Sequence, residues 1–132
     1  MTELDEKLYN SAKIGDIETA KKLITEGVDV NTNSLGDTPL HYAAKYGRTE
    51  AVKFLVRHGA DVNARGLQGM TPLHLAAENN QEETAVALIH LDADAFARDD
   101  SNKIPIQKVS IFRPAFWSIY WAMERANQHI DE

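Results

Sequence analysis

The chain has 132 residues, 43% hydrophobic and 26% charged, a composition that suits one soluble domain with a modest core. Its formal charge of −6 disfavours nucleic acid as a partner, because duplex binding rests on clustered cations that neutralise phosphates. The absence of cysteine excludes disulfides, thiolate metal sites and a cysteine nucleophile.

The opening segment MTELDEKLYN is acidic and lacks the apolar run of a secretory signal. No later stretch reaches the roughly 18 apolar residues of a spanning helix. The expectation is a cytoplasmic or nuclear protein with no membrane partner. Leu8, Ala12, Ala20, Leu23 and Ile24, broken by Gly15 and Gly27, mark a first helical unit over residues 3–35. Lys7, Tyr9 and Asn10 are too polar for a buried helix, so this unit reads as a cap with one face in water.

The pattern sharpens at residue 36. Thr38 predicts a helix N-cap, and Pro39 takes the first helical position, where a missing N–H costs nothing. Leu40, Ala43 and Ala44 then form a small apolar face. Gly47 ends this helix in the left-handed conformation, and Ala51, Val52, Leu55 and Val56 recur at helical spacing as far as Gly59. Residues 60–69, ADVNARGLQG, are polar and Gly-rich and predict a hairpin-like turn.

The tetrapeptide TPLH returns at Thr71, thirty-three residues after Thr38, and an alanine pair again follows one residue later. A period of this length marks stacked repeats. In the third copy Asn80 and Asp92 replace glycines, and Phe96 replaces the turn asparagine. Asn80 suits a left-handed position, whereas Asp92 and Phe96 leave the geometry of the third hairpin open. In residues 102–132, Ile104, Pro105, Ile106 and Gln107 align with TPLH, and Pro114 opens a helix predicted to run to about Gln128.

With its TPLH start, GADVNA turn and thirty-three-residue period, this unit closely resembles the ankyrin repeat. The resemblance implies an all-α solenoid of stacked helix-turn-helix units joined by hairpin-like fingers. One domain would span residues 1–132, with an N-terminal cap repeat at 3–35, repeats at 36–68 and 69–101, and a C-terminal cap repeat at 102–132. It also implies a non-catalytic protein–protein interaction module, with the partner lying along a concave face of hairpin tips and first helices. Alignment places Ile14, Leu35, Lys45, Tyr46, Arg65, Leu67, Met70, Glu78, Arg98, Ile111 and Phe112 on that face. Seven of these are apolar where polar residues would cost nothing, and with Lys45, Arg65 and Arg98 beside them they read as a hot-spot row with a polar rim. On the last helix, Trp117, Tyr120 and Trp121 fall where the family packs inward. Phe116, Ile119 and Met123 then form an outer stripe, which either packs within its own repeat or makes a homodimer or docking surface; a monomer is the expected state otherwise.

Other chemistry finds little support. His41 and His74 lie in TPLH, where the resemblance implies a hydrogen-bonding brace, and no second ligand pattern points to a metal. Asp92, Asp94, Asp99 and Asp100 resemble a calcium loop in composition, but Phe96 breaks the required spacing. No phosphate-binding glycine loop, nucleophile elbow or zinc-protease motif is present, so neither enzyme activity nor a cofactor is expected. Two alternatives to a plain interaction module are a regulatory subunit or inhibitor that occludes an enzyme active site, and a small-molecule or nucleotide sensor using Tyr46 and Lys45. Charge is uneven along the chain: residues 36–68 carry five basic and three acidic groups, residues 69–101 one and seven. Such a step can orient an approaching partner.

Overall fold

The computed structural model describes residues 2–33 and 36–130. These form α1 (Glu3–Ile14), α2 (Ile17–Thr25), α3 (Pro39–Lys45), α4 (Thr49–Arg57), a 3-10 turn (Leu67–Gly69), α5 (Pro72–Glu78), α6 (Glu82–His90), a second 3-10 turn (Pro105–Lys108) and α7 (Pro114–Ile130). No strand occurs among the described residues.

Local chemistry sets where the helices start. Thr38 Oγ1 accepts from the His41 N–H at 3.4 Å and Thr71 Oγ1 from the His74 N–H at 3.3 Å, with Pro39 and Pro72 in the first helical positions. The helices stack in two layers. One holds α1, α3, α5 and the second 3-10 turn, and the other holds α2, α4, α6 and α7. Between them lie Leu40, Leu55, Leu73, Leu88 and Ile119, all fully buried, and the alanine pairs at 43–44 and 76–77 let neighbouring first helices approach closely.

Each TPLH histidine ties its helix to the following hairpin. His41 Nδ1 accepts from the Thr38 N–H at 3.0 Å, and its Nε2 donates to the Met70 carbonyl at 2.9 Å. His74 repeats this with the Thr71 N–H at 3.1 Å and the Lys103 carbonyl at 2.7 Å. An Nδ1 that accepts must be unprotonated, so both rings are neutral. Burial pushes both below the ordinary histidine value.

The first repeat has no such histidine, and there the reading of Tyr9 as too polar for the interior is corrected. Tyr9 is buried, and its hydroxyl donates to the Asp37 carbonyl at 2.6 Å. Asp37 precedes Thr38 as Met70 precedes Thr71, so a phenol performs the brace. A Tyr ring is apolar except at its tip, and here the tip has an acceptor.

The opening turn of the third hairpin keeps the geometry of the first two. Asp92 adopts φ 70° where Gly59 has 96°. The Asp94 carboxylate accepts from the Phe96 N–H at 2.9 Å, matching Asp29 with Asn31 and Asp61 with Asn63. What Phe96 forfeits is the link onward: Asn31 and Asn63 accept from the N–H groups of Asp61 and Asp94 in the next turn, at 2.8 and 2.7 Å.

The last unit departs most from expectation. Its first segment winds only the 3-10 turn, because Ile104 offers no oxygen to cap a helix; the Gln107 side chain instead accepts from the Ile104 N–H at 2.8 Å. The faces assigned to α7 are reversed. Ile119 and Met123 are buried against α6 and Phe116 is half-buried, so they form no outer stripe. Trp117, Tyr120 and Trp121 are 50%, 37% and 58% exposed. The inner stripe pairs Ile119 and Met123 with Ala115, Ala122 and Ala126, a surface low enough to sit on α6, which indole rings would hold away.

Candidate protein-binding face

Tyr46 caps the C-terminus of α3 and is 37% exposed. Two ammonium groups flank its ring, Lys13 Nζ at 5.3 Å and Lys45 Nζ at 5.6 Å from the centroid. Each such contact is worth about 0.5–1 kcal/mol when exposed.

Beside it, a groove of about 400 Å³ opens between the second hairpin and the first-helix layer, lined by Asp37, Lys45, Leu67, Gln68, Met70, Leu75, Glu78 and Asn79. Lys45, Leu67, Met70 and Glu78 of the aligned row thus share one site. Leu67 is 58% exposed at the hairpin tip, yet its backbone is fixed: its N–H donates to Asp37 Oδ1 at 2.9 Å, and the neighbouring Gln68 carbonyl accepts from the Asp100 N–H at 3.0 Å. Asp37 approaches so closely that a Cβ on Gly66 would fall 2.0 Å from its Oδ1. A side chain on such a tip is presented to a partner with little further ordering to lose.

Other members of the row need revision. Met70 is 4% exposed, so it forms a wall of the groove rather than an exposed anchor, because its carbonyl is drawn inward to His41. Leu35 lies outside the described residues. Arg65 and Arg98 are exposed, but the Arg65 guanidinium donates to the Arg98 carbonyl, binding the second hairpin to the third, and the Arg98 guanidinium donates to the Asn102 carbonyl within its own hairpin. Ile14, 62% exposed, borders a separate cleft with Arg48 and Glu83. Ile111 and Phe112, 54% and 90% exposed, sit in the turn before α7 and line neither cavity. Leu75 was not anticipated; its spacing three and four residues before Glu78 and Asn79 on α5 is the signal that could have found it. The exposed aromatic face of α7 was also missed.

A second cavity, about 770 Å³, lies away from this face, between the third turn and α7, lined by Ile89, Phe96, Met123 and their neighbours. Its wall is mainly apolar, with His90, Asp92, Asp94, Arg125 and Asn127 along it. Two of the acidic residues in this region are engaged by local partners: the Asp94 carboxylate by the Phe96 N–H, and Asp99 by a lysine and two backbone groups. Asp99 receives the Lys108 ammonium at 2.7 Å and the N–H groups of Ser101 and Lys103, which hold its carboxyl down at about 2. No group of three or more His, Asp or Glu among the described residues is arranged to hold a metal. No helix among them is long and apolar enough to cross a membrane.

Stacked helix pairs bearing a grooved face define a helical repeat solenoid. A family model described as ankyrin repeats, in three copies, matches residues 8–99. The chain belongs to the ankyrin-repeat family, whose repeats generally mediate protein–protein interaction and are typically non-catalytic. No curated protein matches the chain.

Proposed function

We propose that the chain binds a partner protein along the face formed by its hairpin tips and first helices, with the groove between Tyr46 and Glu78 as its centre. The observation that carries this reading is the convergence of Lys45, Leu67 and Glu78 on one groove, beside a Tyr46 ring approached by two lysine ammonium groups. An apolar side chain of the partner would enter against Leu67, Met70 and Leu75, while Lys45 and Glu78 select opposite charges on either side of it. Residues 1–132 act as one binding unit in this reading, with the units at 3–35 and 102–132 shielding the inner repeats at 36–68 and 69–101. Ile14, Ile111, Phe112 and Arg98 extend the contact beyond the groove.

A photo-crosslinking residue placed at position 67 tests this, with the same residue at Lys21 on the outer helix layer as control. Crosslinks in cell extract from position 67 and not from 21 are expected, and the reverse pattern would overturn the reading. Once the partner is identified, Tyr46→Ala combined with Leu67→Ala is expected to weaken binding by about 2 kcal/mol or more, measured by calorimetry on the folded variant.

A further inference from the structure

The two ends of the helix stack differ in chemistry. At the N-terminal end, α1 turns Glu3, Glu6, Lys7 and Asn10 to solvent. At the other end, α7 turns out Trp117, Tyr120 and Trp121, whose rings touch one another with centroids 6.0 Å (Trp117 to Tyr120) and 5.4 Å (Tyr120 to Trp121) apart. On α7, Trp117, Tyr120 and Glu124 follow at spacings of three and four residues, and Arg113 stands in the turn immediately before the helix. That interval keeps side chains in one narrow seam, the pattern by which two helices pack lengthwise. Among the described residues neither Arg113 nor Glu124 makes an ion pair.

We propose that a second copy of this chain covers the seam, with the two α7 helices antiparallel about a twofold axis level with Ser118 and Ile119. The order basic, aromatic, aromatic, acidic becomes its own complement when reversed. In this register Arg113 of each copy meets Glu124 of the other, at both ends of the seam, and Trp117 meets Tyr120 at the centre. A twofold interface needs such self-complementarity. A head-to-tail arrangement would set the aromatic face against the charged end formed by α1, so the assembly closes as a pair instead of growing into a filament.

The three aromatics are partly exposed, and whole rings contribute roughly 150–250 Å² each. With the flanking side chains the contact falls at the small end of specific interfaces, below about 1,200 Å² in total. Self-association is therefore concentration-dependent. None of the groove residues lies on α7, so the dimer carries two open grooves and binds a bivalent or clustered partner with added avidity. The dimer itself stands independently of the proposed partner-binding face.

Sedimentation equilibrium of the whole chain from about 1 µM to 1 mM reads this directly. The mass is expected to rise from monomer toward dimer. Arg113→Glu or Glu124→Arg alone should weaken dimerisation at least about tenfold, equivalent to about 1.4 kcal/mol. The two changes together should restore it. Trp121→Ser, which carries no charge, should also weaken it, and circular dichroism confirms that each variant is folded. A wild-type chain that stays monomeric to the top concentration, which leaves the face to a different protein, overturns the proposal. So does a folded double variant that fails to recover association.

Discussion

In the repeat at residues 36–68 the first helix starts at a Thr-Pro pair, and its histidine reaches the next hairpin. The corresponding segment of the last unit has Ile104 in place of the threonine and Gln107 in place of the histidine, and it winds only a 3-10 turn. The middle repeat is therefore assembled from local signals that also fix how the next repeat is docked. The last unit is held by tertiary contacts: the Asp99–Lys108 ion pair anchors its turn, and the apolar fit of α7 to α6 sets the rotation of the final helix. Helix phase follows local capping where caps exist, and side-chain volume where they do not.

The hardest challenge to this contrast is core truncation in each region. Leu55→Ala and Ile119→Ala are each expected to cost about 2–5 kcal/mol in urea unfolding, with a single transition in both cases. Loss below about 0.5 kcal/mol for Ile119→Ala would place that residue outside the core. An early separate transition would show that the last unit folds apart from the rest.

The braces come next in size. Tyr9→Phe removes the hydroxyl that serves the Asp37 carbonyl, and is expected to cost about 1–3 kcal/mol without changing the helical circular dichroism spectrum. An unchanged melting temperature would show that the first repeat needs no brace.

Acid exposes the two regions in turn. His41 and His74 have folded values below the unfolded value of about 6.5, so between those limits the unfolded chain binds more protons than the folded one. Their contribution is present above about pH 6.5 and is lost as pH falls through their folded values. Asp99 has a folded value of about 2 against 3.8, so its contribution is present above 3.8 and is lost as pH falls toward 2. Urea titrations at successive pH values should show a first decline that His41→Gln makes shallower, and a second at lower pH that Asp99→Asn makes shallower. A flat profile from pH 7 to 5 would contradict the neutral buried histidines.

The smallest effect is expected on the outer face of α7, where Trp121→Ser should change monomer stability by no more than about 0.5 kcal/mol. Set beside Ile119→Ala, it distinguishes the two faces of one helix.

Much of the fold was legible in particular residues. Thr38, Pro39, Thr71 and Pro72 marked helix starts, Gly47 and Gly59 marked stops, and the thirty-three-residue offset gave the stacking order. Tyr9 was misread because hydropathy scores a whole side chain, while burial depends on whether its one polar atom finds a partner. The faces of α7 were misread because both stripes are apolar and recur at helical spacing. Carrying the repeat register into a unit whose first helix is absent then chose the wrong one. Of the candidate face, Tyr46 and Leu67 were legible as apolar residues the repeat does not require. Met70 was misplaced because alignment locates a backbone position and not the direction of its side chain.

The sequence by itself determined the repeat, its caps and its turns, because those depend on interactions among residues within about four positions of one another. Only the tertiary structure decided which side of α7 faces water, that Tyr9 replaces a histidine, and that Lys45, Leu67 and Glu78 border one groove. Each of these depends on what a neighbouring element offers: the flat alanine-bearing contact with α6, a carbonyl twenty-eight residues away, and a hairpin folded back over two helices.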